Sequence, residues 1–339
     1  MQDSNNKPET MQKRGKEIGR KIGRTVLFFL ILCLIVEGIS QVISHDSRYR
    51  KGEIGGRNAV YVRLASETAD TIQVINIGDS ESYTTYSPIQ AWEEAGITSY
   101  DCGQPGQRLP ETMSILKAVF KRQKPEIVLL EAHDAFTKET MVDDMELRFT
   151  ELIGQLFPVV RYHSFWNSDT YEGATVSTYK GFGIRTAIHP YDGRNYMART
   201  MKKVTISSFA MQNLAEIRDY CEKHGAKLVL YSAPSPKNYN QKRVDALTEA
   251  AEELDVDYVD LNSIADEIGI DWSVDSLDDG DHLNLSGAEK TTRYLTEYLV
   301  DTFGISGLKN NPAQASWEKD AAAYDAEVDG LIEKIRGTV

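Results

Sequence analysis

The feature that most constrains the fold is a series of short apolar runs, each stopped by turn residues and separated from the next by a helical pattern. Ile72-Gln-Val-Ile-Asn-Ile77 ends in Gly78-Asp-Ser-Glu81, and Lys124-Pro-Glu-Ile-Val-Leu-Leu130, Lys227–Tyr231 and Val256–Asp260 repeat the theme. Ile97–Tyr100 reads as one more short strand. Runs of this length without alternation are what strands buried on both faces look like. Between them the sequence predicts helices over 84–95, from Pro110 to about Lys121, over 203–224 with Gly225 as terminator, and over 240–254. Asn284–Glu289 opens a final helix, with Ser286 and Glu289 at the spacing of a capping box. Strands alternating with helices imply a parallel sheet covered on both faces.

The N-terminus obeys a different rule. Residues 1–24 hold seven Lys/Arg against three acids, and Thr25–Ile43 follows as 19 mostly apolar residues. A bilayer-spanning helix needs roughly 20. Glu37 lies toward one end of the run, where a carboxylate costs less than at the centre. Basic residues before the run place the N-terminus in the cytoplasm and the remainder outside. A cleaved signal peptide is the alternative, but Glu37–Ser44 offers no A-x-A-like site. This gives a basic tail at 1–24, an anchor at 25–44 and a polar linker at 45–70, followed by an α/β domain at 71–305.

The whole-chain averages conceal that division. The net charge of -13 combines +4 in residues 1–24, -1 at Glu37 and -16 beyond. An acidic exported part argues against nucleic-acid binding, since phosphates would be repelled, and a mean hydropathy of -0.40 argues against a polytopic membrane protein. Cys33 lies in the apolar run; Cys102 and Cys221 could pair, but two thiols make no disulfide framework. Neither CxxC nor HExxH occurs, so no metal is expected.

Residues 137–200 interrupt the domain. They hold ten of the 31 aromatic residues, namely Phe149, Phe157, Tyr162, Phe165, Trp166, Tyr171, Tyr179, Phe182, Tyr191 and Tyr196. The segment either packs a small core of its own or forms a cap that shapes a substrate groove. Past 306, a linker leads to Trp317, Tyr324, Val328, Leu331 and Ile335, spaced as on an amphipathic helix that docks on the domain.

In an open parallel sheet, ligands bind at the carboxyl ends of the strands. Three segments meet there: Gly78-Asp79-Ser80, Gly103-Gln-Pro-Gly106 and Asp279-Gly-Asp-His282. A serine hydroxyl becomes a nucleophile when an imidazole takes its proton and a carboxylate orients that imidazole. Ser80, His282 and Asp279 can fill these roles, with Asp278 or Asp281 as alternative partners of the histidine. The amides of Ser80 and of Gly103 or Gly106 would stabilise an oxyanion. Gly78-Asp-Ser-Glu81 is a poor phosphate-binding turn, which weighs against a flavodoxin-type cofactor binder, and no cofactor is expected.

These blocks, in this order, resemble the SGNH (GDSL-type) hydrolases, over about residues 70–136 and 203–303. The resemblance implies a flavodoxin-like three-layer sandwich with a parallel sheet of about five strands, Ser80 as nucleophile, His282 as base and Asp279 as its orienting acid. The family's third block usually reads Gly-x-Asn-Asp, its Asn donating to the oxyanion. Here it reads Glu131-Ala-His-Asp134, with His133 in the place of that donor. With an anchor, the set looks like the membrane-anchored bacterial proteins that work beside membrane-bound O-acyltransferases. That implies an acyl group on Ser80 passed to or from an acylated sugar or polysaccharide of the cell envelope. An esterase, or an inactive scaffold that binds polysaccharide, are the other readings. An acidic domain suits a neutral polymer better than an anionic one, unless the charge near the site is locally positive.

Overall fold

A computed structural model describes residues 7–50, 56–138, 140–163, 178–193, 195–199, 202–308 and 315–337. Its central feature is a sheet of five strands: β1 (Val74–Ile77), β2 (Ser99–Asp101), β3 (Ile127–Glu131), β6 (Lys227–Ser232) and β7 (Asp257–Asp260). They lie in the order β2-β1-β3-β6-β7 and every pairing is parallel. This is the flavodoxin-like order, whose chain reversal falls between β1 and β3. Residues of β1 and β3 are buried throughout, as their uninterrupted apolar sequence requires.

The helices cover both faces. On one side Leu109–Val119 (α6), Ser208–Lys223 and Gln241–Leu254 pack through Ile115, Leu116, Leu214, Ile217 and Leu247. On the other, Pro88–Ala95 (α5) and Leu285–Phe303 pack through Ala91, Leu295 and Leu299. The helix expected over 84–95 is broken into Ser82–Thr85 (α4) and α5, because Ser87 caps a new helix that starts at Pro88. The expected Ser286–Glu289 capping box is not formed. Asn284 is the cap, accepting from the amides of Ser286 and Gly287, while Glu289 pairs with Arg293 and Arg336. A side chain two residues nearer the strand thus already satisfies the first amides.

Part of the expected 45–70 linker is folded. Ser47–Arg50 (α2) precedes Ala59–Ser66 (α3), which buries Val60, Val62 and Leu64 against the domain. The apolar N-terminal stretch lies in one helix, α1 (Lys7–His45). Within Arg14–His45 the most apolar window of 18 residues has a mean hydropathy of 2.5, and the helix is long and apolar enough to cross a membrane. Its last turns are built into the domain: Ser40 and Ile43 are buried, and Ile43 packs with Val62 and Tyr162.

The described residues of 137–200 form no separate core. Met141–Leu156 (α7) and Pro158–Arg161 (α8) lie along α6 and the end of α1. The hairpin β4 (Thr178–Tyr179) and β5 (Phe182–Gly183) inserts Phe182 beside Trp92 and Trp317. Phe165, Trp166 and Tyr171 lie outside the described residues. At the C-terminus Ala315–Val328 and Leu331–Arg336 bury Trp317, Tyr324 and Ile335 in the same cluster. Lys180 joins the parts: its ammonium pairs with Glu67 at 2.9 Å and Asp320 at 2.8 Å, over the Trp317 ring. Cys102 and Cys221 share one hydrophobic cluster as free thiols.

Candidate active site

Ser80 follows β1, in the turn that leads to α4. The turn folds on itself: Asp79 Oδ1 accepts from the Glu81 amide at 3.0 Å, and the Asp79 carbonyl accepts from Ser82 Oγ at 2.8 Å. Gly78 is required by contact, because a Cβ there would lie 2.7 Å from the Cβ of Glu131 on the neighbouring strand. The serine therefore stands at the carboxyl end of β1, beside the reversal of strand order.

His282 arrives from the other end of the chain. Its Nε2 lies 2.7 Å from Ser80 Oγ. Its Nδ1 lies 2.8 Å from Asp278 Oδ2, and its amide donates to Asp278 Oδ1 at 2.7 Å. With the Nδ1 proton given to Asp278, Nε2 presents its lone pair to the serine hydroxyl, as a general base requires. The loop is held by Lys237, which donates from its amide to the Gly280 carbonyl and from Nζ to the Asp278 carbonyl.

The carboxylate beside His282 is Asp278 rather than the expected Asp279. Both Asp279 (φ 59°) and Gly280 (φ 83°) adopt left-handed backbone, which reverses the chain and returns residue 278 to residue 282. The Asp279 amide is engaged elsewhere, donating to the His189 carbonyl at 2.9 Å. Spacing along the sequence favoured three residues; the turn makes it four.

Two of the expected oxyanion donors also differ. The Gly103 amide donates to Asp101 Oδ1 at 2.8 Å, so its hydrogen is already taken. Gly106 lies exposed at the outer end of the loop, its carbonyl accepting from Arg57. Among the described residues no acceptor takes the Ser80 amide. His133 Nδ1 lies 2.8 Å from Asp79 Oδ2, so this imidazole braces the nucleophile turn. Burial lowers its pKa, but the hydrogen bond to Asp79 and the charge of Glu131 outweigh that and the net shift is upward.

Behind the serine lie buried carboxyl groups that the sequence reading did not single out. Burial pushes the Asp101 carboxyl up to about 7, against the donors Gly103, Asn76 and Ser82. Burial and Asp79 raise Glu131 to about 7 as well, and Tyr239 donates to it at 2.5 Å. Glu81 is almost fully buried and is held well above the carboxylate range by burial, then by Glu131 and Asp79. Asn238 bridges Glu81 to Asp281. Clustered carboxyls out of water cannot all ionise, so protons are retained there. The one linear signal was Glu81, adjacent to Ser80. Donor atoms of Glu81, Asp281 and His282 lie within 4.8 Å of one another. Both nitrogens of His282 are already engaged, so a cation there would displace Ser80 or Asp278.

A cavity of about 300 Å³ adjoins the Gly103 loop. Its lining includes Tyr83, Asp101, Arg57, Arg63 and Arg185, with Arg57 paired to Glu111 at 2.9 Å. On the histidine side, Tyr191 and Tyr196 of the insertion meet Trp272 edge to face, and Tyr191 packs on Gly280.

No protein-family model matches the sequence. No curated protein matches it. Solved structures do align with the fold. A candidate SGNH hydrolase of Slackia heliotrinireducens is 12% identical, aligning over 67% of this chain and 98% of its own, with a TM-score of 0.39. A lipase/acylhydrolase from Enterococcus faecalis is 14% identical over 68% of this chain and 97% of its own, with a TM-score of 0.36.

Proposed function

We propose that this chain is a serine acyl-enzyme catalyst of the SGNH type, acting as an esterase or O-acyltransferase. The observation that carries the reading is the 2.7 Å contact of His282 Nε2 with Ser80 Oγ, at the carboxyl edge of a flavodoxin-like sheet. In the proposed reaction Ser80 Oγ attacks the carbonyl carbon of an acyl ester as its proton passes to Nε2 of His282. Asp278, on Nδ1, stabilises the imidazolium. The tetrahedral oxyanion is met by the Ser80 amide, and by the Gly103 amide once that leaves Asp101. Collapse breaks the bond to the alcohol, which departs with the proton from His282. An incoming hydroxyl then gives its proton to His282 and takes the acyl group, and His282 returns that proton to Ser80 Oγ as the acyl–serine bond breaks. Water as acceptor gives hydrolysis; a sugar hydroxyl gives transfer.

We further read the acceptor or donor as a polysaccharide of the bacterial cell envelope, with the domain outside the membrane and the N-terminus in the cytoplasm. A membrane-bound O-acyltransferase is the partner this arrangement suggests. An anchor keeps the domain beside membrane-linked donors, which favours transfer. Arg63 and Arg185 in the cavity wall place positive charge locally in an acidic domain, which supports an anionic polymer as well as a neutral one. A second reading, an inactive polysaccharide-binding scaffold, is favoured by the absence of the block-three asparagine and by the occupied Gly103 amide.

A fluorophosphonate probe separates the readings. Labelling of the full chain that disappears in Ser80→Ala supports the acyl-enzyme. Labelling unchanged in that variant removes Ser80 from its role, and no labelling of the native chain supports the scaffold. Acetate release from an acetylated sugar, with and without an acceptor sugar, then distinguishes hydrolysis from transfer.

A further inference from the structure

Apart from α1, exposed apolar bulk is concentrated at one place. Among the described residues beyond α1, eight large apolar side chains are exposed, and seven of them belong to α7 and α8. On α7 these are Met141, Val142, Met145, Phe149, Leu152 and Leu156; on α8 it is Val160. At 3.6 residues per turn the six α7 positions fall within an arc of about 100°. The opposite side of α7 is the packed one. Glu151 and Gly154 are buried there, Arg161 pairs with Glu151 at 3.0 Å, and Arg148 reaches Asp144, Asn213 and Glu216. The apolar stripe is thus not an unfilled part of the core, since α7 already has its polar and small residues turned inward.

α8 joins the helix that carries the stripe to the end of α1. The amide of Val159 in α8 donates to Ser40 Oγ in α1 at 3.3 Å, and Val159 packs with Ile43. Arg161 then ties α8 to α7. We infer that the α7 stripe rests on the lipid surface next to the point where α1 leaves the bilayer. The inference depends on α1 crossing the membrane. A monolayer interface is the apolar phase that an inserted α1 brings to this part of the domain. The helix is flanked by Glu146 and by Asp144, itself neutralised by Arg148, so its hold is apolar rather than an attraction to anionic lipid. Anchor and stripe together make two points of attachment, which fix the tilt of the domain on the membrane.

The test uses the full chain in phosphatidylcholine vesicles whose acyl chains carry bromine, a contact quencher of tryptophan. Flotation first shows whether the chain inserts; a chain left in the aqueous fraction defeats the anchor, and the stripe with it. In floating protein, Phe149→Trp is compared with Thr150→Trp, which is exposed but lies about 100° away around the helix. The native chain supplies the background of its own tryptophans. The expected result is a blue-shifted emission from Phe149→Trp that is lost in brominated vesicles, with little loss from Thr150→Trp. Equal behaviour of the two variants overturns the inference. A photo-crosslinker at Leu152 that joins two copies of the chain also overturns it, because the occupant is then a protein.

Discussion

The division of labour between Asp278 and Asp279 is a matter of one residue. Asp278→Asn leaves the geometry but removes the charge that selects the Nδ1 tautomer, so kcat should fall by about 10²- to 10⁴-fold. Asp278 is partly exposed, which favours the lower end of that range. Asp279→Asn should leave kcat within a few-fold, because asparagine also tolerates the left-handed backbone. Acyl release or probe labelling rates for both variants decide the matter, and the reverse ranking would restore Asp279. Ser80 and His282 were legible in the sequence because each sits in a short motif at a strand or helix boundary. The choice of aspartate was not, since it depends on two consecutive positive φ angles that spacing does not reveal. Nor did spacing reveal that the Gly103 amide is held by Asp101, which is two residues away.

At the scale of elements, the strands were legible to within about three residues, because burial on both faces leaves a continuous apolar run. Helix starts were less so. Asn284 was overlooked as a cap because Ser286 and Glu289 fit a stronger pattern. Asn284 also donates to the Val274 carbonyl at 2.7 Å, so it fastens the loop carrying His282 to the helix behind it. Asn284→Ala should destabilise the domain by about 1–2 kcal/mol, measurable as a lower melting temperature, whereas Glu289→Ala should change little. The end of α1 makes a related prediction. Ile43 is fully buried, and Ile43→Ala should cost about 2–5 kcal/mol. A signal peptide removed after residue 44 would delete that contact, so N-terminal sequencing of the membrane fraction should find residues 25–43 retained.

For the whole molecule, the buried carboxyls set how stability responds to pH. Asp101 and Glu131 are raised from ordinary carboxylate values to about 7, and His133 is raised too. Between the unfolded carboxylate range and about pH 7, the folded state keeps protons that the unfolded chain has released. Stability must then decline as pH rises through that interval. The melting temperature should fall from pH 5 toward pH 8, and Asp101→Asn should flatten the decline; a melting temperature that rises over this interval would falsify the assignment. None of this was visible in the net charge of -13, because the sum records how many carboxyls exist and not which are out of water. The aromatic insertion was likewise recognisable by composition, but its spread along α6, α1 and the C-terminal helices depends on contacts far apart in sequence.

The small hairpin of that insertion has a bearing on how the sheet meets other chains. β2 is a border strand of the sheet, and such borders invite pairing with another chain. Here the Asp101 amide is already taken by the Lys180 carbonyl at the hairpin's bend. At the opposite border, β7 carries Asp257 and Asp260, whose charges repel an incoming strand. Both flanks thus carry a feature that opposes strand-to-strand pairing.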